Sequence, residues 1–291
     1  MPELPEVEIT RRQIEPLLSG RTIATLSTTK DSYFFITKPA ALKRRLKGQR
    51  VARLERVGKY LLAHVEDGQR LLLHLGMTGQ LFGAGVSSVR LLSSTGSAAL
   101  SPEGQQAFAP DDHTHLRFSF EDGGPEVYFR DARKFGKVQL LAPGERCERL
   151  DKLGVDALLA NGDVLHAGTR GRKAAIKNIL LDQQVVAGIG NIYADEALFI
   201  AGIRPRAQAG KLSRPACERI VRAAQQVMRR SIETGGSSIN DYVQPDGSDG
   251  SYQDERQVYA REGEPCLRCG AAIKRIVLGQ RSAHYCPRCQ R

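Results

Sequence analysis

Residues 265–291 read PCLRCGAAIKRIVLGQRSAHYCPRCQR and hold four of the six cysteines of the chain. Two C-x2-C pairs, Cys266 with Cys269 and Cys286 with Cys289, are separated by sixteen residues. Each pair fits a tight turn that directs two thiolates at one ion, and four thiolates complete a tetrahedral structural zinc site. Chance spacing and an oxidised pair of disulfides are the alternatives. The spacing therefore predicts one structural Zn²⁺ ion.

The segment between the two cysteine pairs has the pattern of a β-hairpin. Apolar Ile273 and residues 276–278 lead to a turn near Gly279, and Tyr285 leads back. This module is too small for a core of its own, so the metal must hold it together. Residues 261–291 carry seven Lys or Arg against two Glu, a net charge of +5. Because a closed four-cysteine site does no chemistry, we expect a basic hairpin tip, with Arg281 on it, that faces a phosphate backbone.

The charge of the whole chain points the same way. Across 291 residues, 43 Lys and Arg stand against 32 Asp and Glu, giving a net charge of +11 and a pI near 9.5. Such a surplus favours a polyanionic partner, most commonly nucleic acid, although many basic proteins bind nothing specific. No apolar run approaches the roughly 20 residues of a membrane span, and the N-terminus has no signal-peptide pattern. We therefore expect a cytoplasmic protein with reduced thiols, in which Cys147 and Cys217 are buried small apolar residues.

Residues 20–150 have mainly the pattern of β-strands. Alternating or short apolar runs are separated by Gly, Asp and Pro turns, which predicts a packed antiparallel sandwich. The stretch 83–110 breaks the pattern: it is rich in Ser, Gly and Ala, and we interpret it as a mobile loop inserted between strands.

From about residue 155 the apolar residues recur at three- and four-residue steps, which indicates helices. In VVAGIGNIYADEALF, Gly190-Asn191 opens a helix whose free N–H groups suit a phosphate; a helix-to-helix corner without a ligand is the alternative. After residue 235 the sequence is polar and rich in turns. The fold class is thus α+β with several domains: a sandwich domain over 1–150, a helical domain over 151–236, a loop and linker over 237–260, and the zinc hairpin over 261–291.

The N-terminal stretch MPELPEVE is explained only in part by a helix. Pro5 suits a first helical turn, and the glutamates suit the positive end of the helix dipole. The apolar residues that follow have helical spacing up to Ser19-Gly20. This leaves Pro2 without a role.

Six motifs occur in one order along the chain: MPELPEVE, VGKYLL, HLGMTG, DARKFG, GIGNIYADEALF and QRSAHYCPRC. Together they resemble the formamidopyrimidine-DNA glycosylase (Fpg/Nei) family of bacterial base-excision repair enzymes. The resemblance covers residues 1–291 except the 83–110 insertion. It implies an N-terminal β-sandwich with a helix, a helix–two-turns–helix DNA-binding domain and a zinc-finger hairpin. Residues 237–259 then match the loop that closes over an everted oxidised purine.

The resemblance implies a bifunctional glycosylase and abasic-site lyase. Removal of Met1 exposes the secondary amine of Pro2. An ordinary α-amine has a pKa of about 8, far below that of lysine, so such a group can be neutral and nucleophilic at working pH. That amine displaces the damaged base, 8-oxoguanine or a formamidopyrimidine, and the resulting iminium link allows β,δ-elimination of the strand. The implied partner is double-stranded DNA with oxidised bases or abasic sites. The implied setting is a monomer at the nucleoid in the bacterial cytoplasm.

Family roles carry over onto matching positions. Glu3 resembles the general acid/base, Lys59 the lysine that holds a phosphate and assists elimination, and Arg281 the finger arginine that grips the phosphates flanking the flipped nucleotide. Glu6 matches a second carboxylate, with a catalytic or a structural role. A base must leave the stack before it is excised, and the gap is filled by a wedge. The wedge and the contacts to the DNA backbone match Met77, Arg133, Phe135, His113, Arg172, Lys177 and Asn191.

Two departures and two rivals bear on this interpretation. The chain has Ala132 and Lys134 where the family usually has Pro and Arg, which affects backbone stiffness but leaves the wedge. The family pattern is silent on the 83–110 insertion. A relative of endonuclease VIII, which removes oxidised pyrimidines, usually has Gly in place of Leu4 and lacks much of the 237–259 loop. A DNA-binding zinc protein without activity is the second rival, against which the intact Pro2 and Glu3 argue.

Overall fold

A computed structural model describes residues 2–86, 109–239 and 242–291. The chain forms two compact units, the first from residues 1–147 and 234–253, and the second from residues 148–233 and 254–291. Within the described ranges, no helix is both long and apolar enough to cross a membrane. The central part of the predicted 83–110 insertion, residues 87–108, lies outside the described residues.

The first unit is an antiparallel β-sandwich of two four-stranded sheets. One sheet has the strand order β1-β6-β7-β5 and the other β2-β3-β4-β8. The elements are α1 Leu4–Leu18, β1 Ile23–Thr28, α2 Pro39–Leu46, β2 Val51–Val57, β3 Tyr60–Val65, β4 Arg70–His74, β5 Gly79–Gly83, β6 Thr114–Phe120, β7 Val127–Asp131 and β8 Lys137–Leu141.

The core of this unit lies between the two sheets. Apolar side chains from both sheets form one cluster, which includes Leu61, Leu73, Phe118 and Phe129. Strand β6 alternates between buried and more exposed residues only from Leu116 onward, whereas β5 and β7 are buried along their whole length. Helix α1 contacts both of these strands, and Val243 packs on Phe82 and Tyr128, so their outer face is covered as well.

Helix α1 begins and ends where the sequence predicts. Glu3 is the N-cap residue and forms a capping box with Glu6, and Pro5 lies in the first turn, where it leaves no hydrogen bond unmade. The chain turns after the helix at Gly20, whose φ of +79° favours glycine.

The second unit is mainly helical and ends in the hairpin. Its elements are α3 Glu148–Asp151, β9 Val155–Asp156, α4 Gly162–Thr169, α5 Ile176–Leu181, β10 Val186–Ala187, α6 Asn191–Ala201, α7 Arg214–Glu233, β11 Lys274–Leu278 and β12 Arg281–Tyr285. Helix α6 packs along α7 and contacts β12. Its C-terminus is closed by Gly202 at a φ of +72°.

The zinc hairpin has a two-residue turn at Gly279-Gln280, both with positive φ, as a tight hairpin turn requires. Its apolar residues do not form a core by themselves. Ile273, Cys266 and Cys286 share a cluster with Phe199 of α6 and Val258. The hairpin is therefore built against α6.

The α+β fold class, with an antiparallel sandwich, a helical region and a hairpin finger, is confirmed. Sequence reasoning missed helix α2, although KPAALKRRLKG carries Pro39 at its first helical position and Gly48 after its end. It also missed the short parallel pair of β9 and β10. Two-residue strands leave no periodicity to detect.

Candidate active site and metal centre

Pro2 and Glu3 are buried at the start of α1. The capping box fixes them, since the backbone N–H of Glu3 donates to Glu6 Oε2 at 2.9 Å. The other oxygen of the same carboxylate, Glu6 Oε1, accepts from the backbone N–H of Ser237 at 3.0 Å. Glu6 therefore joins the N-terminus of α1 to the segment 234–239.

The segment that follows also lies on α1. Gln13 Nε2 donates to Gln244 Oε1 at 2.9 Å, and the backbone N–H of Asp246 donates to Gln13 Oε1 at 3.2 Å. Tyr242 is buried, and both burial and the Glu6 carboxylate raise its pKa well above the usual value. Its hydroxyl therefore stays neutral, and the described residues 242–253 pack on the element that carries Pro2.

Lys59 lies in the two-residue turn between β2 and β3, after Gly58 at a φ of +58°. Arg56 donates to the carbonyl oxygen of Gly58 at 3.0 Å and to Glu8 Oε2 on α1 at 3.0 Å. Burial alone would raise the pKa of Glu8, but hydrogen bonds from Arg11, Arg12 and Arg56 outweigh it and lower the pKa to about 2. A charged Glu8 thus holds the Lys59 turn against the helix of Pro2 and Glu3.

The Met77 loop and the loop 131–136 are in direct backbone contact. A methyl group on Gly76 would lie 2.5 Å from backbone atoms of Phe135 and Gly136, so this approach requires glycine. Met77 is half-buried and Phe135 is 44% exposed. The Arg133 guanidinium lies 4.8 Å from the centre of the Phe135 ring. The three residues predicted to form the wedge are therefore carried on two interlocked loops.

A fully buried carboxylate, Asp131, organises these loops. Its Oδ2 accepts from the backbone N–H of Gly136 at 2.7 Å, and its Oδ1 accepts from the Thr78 hydroxyl and from the backbone N–H of Arg133 at 3.3 Å. The backbone N–H of Asp131 donates to the carbonyl oxygen of His113 at 2.9 Å, which places His113 beside the same loops.

The remaining predicted DNA contacts lie in the second unit. Asn191 is the first residue of α6, and Arg172 is half-exposed and lies 3.3 Å from Asp182. Arg281 is exposed at the first position of β12. Lys177, in contrast, is completely buried and forms an ion pair with Asp195. A direct phosphate contact of Lys177 stays a prediction, and this structure gives its side chain a partner inside the protein.

The four predicted metal ligands come together. The Sγ atoms of Cys266, Cys269, Cys286 and Cys289 all lie within 4.8 Å of one another. Two of the separations are 3.4 Å, Cys269 to Cys286, and 3.9 Å, Cys266 to Cys289. Zn–S bonds of about 2.3 Å in a tetrahedron place sulfurs about 3.8 Å apart. The residues fit one structural Zn²⁺. Cys147 and Cys217 are buried elsewhere, as predicted.

Sequence reasoning missed two groups that hold the site in place. Asp131 stands in the quoted motif DARKFG, and an aspartate at the start of a turn is a known signal for side-chain-to-backbone bonds. Glu8 and Arg56 are 48 positions apart, and nothing in the sequence pairs them.

Comparisons with known proteins agree along the whole chain. Three family models match: the formamidopyrimidine-DNA glycosylase N-terminal domain over residues 1–138, its H2TH domain over 153–243, and a zinc finger found in FPG and IleRS over 263–291. A formamidopyrimidine-DNA glycosylase of Cupriavidus pinatubonensis is 42% identical, with all of both chains covered.

Two solved structures have the same fold. The MutM (Fpg) protein of Thermus thermophilus is 35% identical with a TM-score of 0.82, covering 99% of this chain and 98% of that one. The Lactococcus lactis Fpg in complex with DNA containing Fapy-dG is 31% identical with a TM-score of 0.82, covering 99% and 100%. By its sequence, its domains and its fold, the chain belongs to the formamidopyrimidine-DNA glycosylase family.

Proposed function

We propose that this DNA glycosylase excises oxidised purines from duplex DNA and then cuts the strand at the abasic site. The observation that carries the proposal is the buried Pro2–Glu3 pair, fixed at the start of α1 by the capping box with Glu6. An amine used as a nucleophile needs a fixed position and a neighbouring group that moves protons. The Lactococcus neighbour, bound to DNA with a Fapy-dG lesion, supports the class of substrate.

In the proposed reaction, removal of Met1 makes the ring nitrogen of Pro2 a secondary amine. Its lone pair forms a bond to C1′ of the damaged nucleotide, the bond from C1′ to the base breaks, and the base leaves with a proton. The sugar ring opens as O4′ takes a proton, which leaves a cationic iminium between Pro2 and C1′. Loss of a C2′ proton then expels the 3′ phosphate, and loss of the C4′ proton in the next elimination expels the 5′ phosphate. Hydrolysis of the iminium frees the amine.

The carboxylates of Glu3 and Glu6 have different roles in this proposal. Both oxygens of Glu6 accept backbone N–H groups, from Glu3 and from Ser237, which supports a structural role for Glu6. Glu3 is then the general acid/base that protonates O4′ and removes the C2′ proton. Lys59 holds a phosphate beside the lesion from the turn that Arg56 and Glu8 fix.

Recognition of the duplex is assigned to loops on both units. Met77, Arg133 and Phe135 fill the gap left by the everted nucleotide, since Phe135 is exposed and its neighbour Arg133 lies against its ring. On the second unit, Arg281 and the N-terminus of α6 at Asn191 bind phosphates. The net charge of +11 supports many backbone contacts and a steep dependence of binding on salt.

A pyrimidine-specific activity is the nearest alternative. Leu4 is completely buried in this structure, and the described part of residues 237–253 contacts α1 through Gln244 and packs on β5 and β7 through Val243. Both features differ from the pattern expected of an endonuclease VIII relative, so oxidised purines are the preferred substrates.

Borohydride trapping tests the proposal. With a duplex that contains 8-oxoguanine, we expect a covalent protein–DNA adduct that mass mapping places on Pro2. Glu3→Gln should bind the same duplex and release almost no base. Attachment at a lysine would refute the role of Pro2, and no adduct at all would favour a binding protein without activity. Faster trapping on a duplex with thymine glycol would favour the pyrimidine alternative.

A further inference from the structure

A buried ion pair joins two helices of the second unit. Lys177 on α5 and Asp195 on α6 have no exposed surface, and Lys177 Nζ lies 2.6 Å from Asp195 Oδ1. Each charge loses its hydration in such a place, so the pair is stable only as a pair. Removing one partner leaves the other charge buried without compensation.

Both members of the pair also hold strand β12 of the zinc hairpin. Lys177 Nζ donates to the carbonyl oxygen of Ser282. Asp195 Oδ2 accepts from the backbone N–H of His284 at 2.8 Å, with His284 Nδ1 at 3.2 Å. Two alternate residues of β12 are thus fixed through their backbone by one lysine and one aspartate.

Two further contacts hold the same end of the hairpin. Asn191 Nδ2 donates to Ser282 Oγ at 3.3 Å. A methyl group on Gly279 would lie 3.1 to 3.3 Å from the side chain of Asn178, so the turn approaches α5 closely. The tip of the hairpin therefore contacts both α5 and α6. Strand β11 of the same hairpin has mostly exposed side chains.

Arg281 lies directly before Ser282, at the start of β12. Its side chain is exposed, and it forms no ion pair with any residue that the structure describes. Nothing in the second unit's described contacts orients its guanidinium by side-chain pairing. The position of Arg281 is set by its backbone, which the contacts to Ser282 and His284 fix.

We propose that Lys177 and Asp195, with Asn191, are positioning residues that place Arg281 for its phosphate contact. This inference rests on the DNA-binding role proposed for Arg281. Lys177 then acts on DNA through the hairpin rather than by touching a phosphate. A buried ion pair suits this task because it adds little net stability yet fixes one arrangement of the groups around it.

Charge-balanced variants separate positioning from stability. Lys177→Met or Asp195→Asn alone leaves one buried charge unpaired, and we expect the melting temperature to fall by about 10 °C. The double variant removes both charges and should recover most of that loss with its zinc content unchanged. It still lacks the bond to Ser282, so its Kd for a lesion duplex should stay raised about tenfold. Lys152→Met, which removes an exposed ion pair with Glu148 in the same unit, is the matched control and should change neither quantity.

The Arg281→Ala variant tests whether the Lys177–Asp195 pair affects DNA binding through Arg281. In Arg281→Ala, adding the double change should raise the Kd by less than about twofold, because the group being positioned is gone. The same tenfold loss in that background, or full recovery of the Kd in the double variant, would overturn the proposal. If the double variant does not fold, Lys177→Arg replaces it, because it keeps the buried charge but changes the donor that reaches the carbonyl oxygen of Ser282. An unchanged Kd for that variant also overturns the proposal.

These results are distinct from a failure of the proposed function. Borohydride trapping of the parent protein through Pro2 tests the glycosylase mechanism alone. A parent that traps normally, combined with additive effects of Lys177 and Arg281, contradicts only the positioning role.

Discussion

Each unit uses buried carboxylates to fix the loops that we propose contact DNA, but the surroundings of these carboxylates differ between the two units. In the first unit, Asp131 and Glu6 bind backbone N–H groups at the edge of a large apolar core shared by two sheets. In the second, Asp195 is paired with a buried lysine, and Glu196 accepts three backbone N–H groups from residues 257–259 at 2.8 to 3.0 Å. Burial raises the pKa of Glu196 although those three hydrogen bonds lower it.

The difference follows from the size of the core behind each loop. Loops on the sandwich extend from strands that eight-stranded packing already fixes, so a few hydrogen bonds suffice to set their conformation. The hairpin finger has no core of its own, and its apolar residues pack on Phe199 and Val258. Its structure therefore depends on a metal ion and on the buried ion pair of Lys177 and Asp195, which stabilises the finger only while both charges are present.

The largest expected effect is the loss of zinc. Structural zinc sites contribute on the order of 10 kcal/mol to folding, and the finger has no comparable apolar substitute. Cys286→Ala, or a chelator, should unfold residues 261–291 and weaken DNA binding while the sandwich keeps its structure. Amide exchange read out by mass spectrometry measures both regions at once. Cys147→Ala, at a buried cysteine of the first unit, is the control. Simultaneous unfolding of the sandwich, or normal binding without metal, would contradict the comparison.

The next effect is expected at Asp131. Both of its oxygens accept hydrogen bonds, so in Asp131→Asn the new amide group must face a backbone N–H or the Thr78 hydroxyl. We expect a loss of about 2 kcal/mol in stability and, because the wedge loops shift, about a hundredfold slower excision. Urea unfolding and single-turnover kinetics measure the two losses.

Asp122→Asn is the matched control for that change, since Asp122 is exposed on the same unit and binds Arg21. It should excise at the parent rate. Equal rates for both variants would show that Asp131 does not set the wedge geometry.

A smaller effect is expected from Glu8, and it depends on pH. The pKa of Glu8 is lowered from 4.5 to about 2 in the folded protein, so its charged form stabilises the fold above about pH 4.5. That stabilisation, about 2 kcal/mol after allowance for partial exposure, is lost as pH falls from 4.5 towards 2. Glu8→Gln should therefore lower stability at pH 7 and flatten its decline in acid.

The control for Glu8 is Glu66→Gln, which removes an exposed pair with Arg50. Its stability should follow the parent curve at every pH. If Glu8→Gln loses as much stability at pH 2 as at pH 7, the effect comes from packing and not from the charge.

Sequence patterns predicted the structural features that come from regular spacing of residue types along the chain. Alternation predicted the sandwich strands, and cysteine spacing predicted the metal ligands, which do meet. The family motifs indicated the residues of the candidate site. They did not predict what holds those residues, because the pairs Glu8–Arg56 and Lys177–Asp195 join distant positions, and a lone lysine in a helix has the pattern of a surface residue. Burial of charge is a property of the assembled core, not of a local pattern.

The smallest expected effect concerns a cysteine that takes no part in the finger. Cys217 lies on α7 with no exposed surface, and burial raises the pKa of its thiol. The neutral thiol reacts poorly, so iodoacetamide at pH 8 should leave Cys217 unmodified in the native protein. Cys217→Ala should cost about 1 kcal/mol in stability, as for the loss of a small buried group, with zinc content and trapping unchanged.

Mass mapping after a short labelling pulse, with and without chelator, distinguishes the reactivity of Cys217 from that of the finger cysteines. We expect labels on Cys266, Cys269, Cys286 and Cys289 only after chelation, and none on Cys217 in either case. Labelling of Cys217 at the same time as the four ligands would mean that loss of the metal also opens α7. The contacts of Asp195 and Asn191 on α6 with the hairpin would then not confine unfolding to the finger.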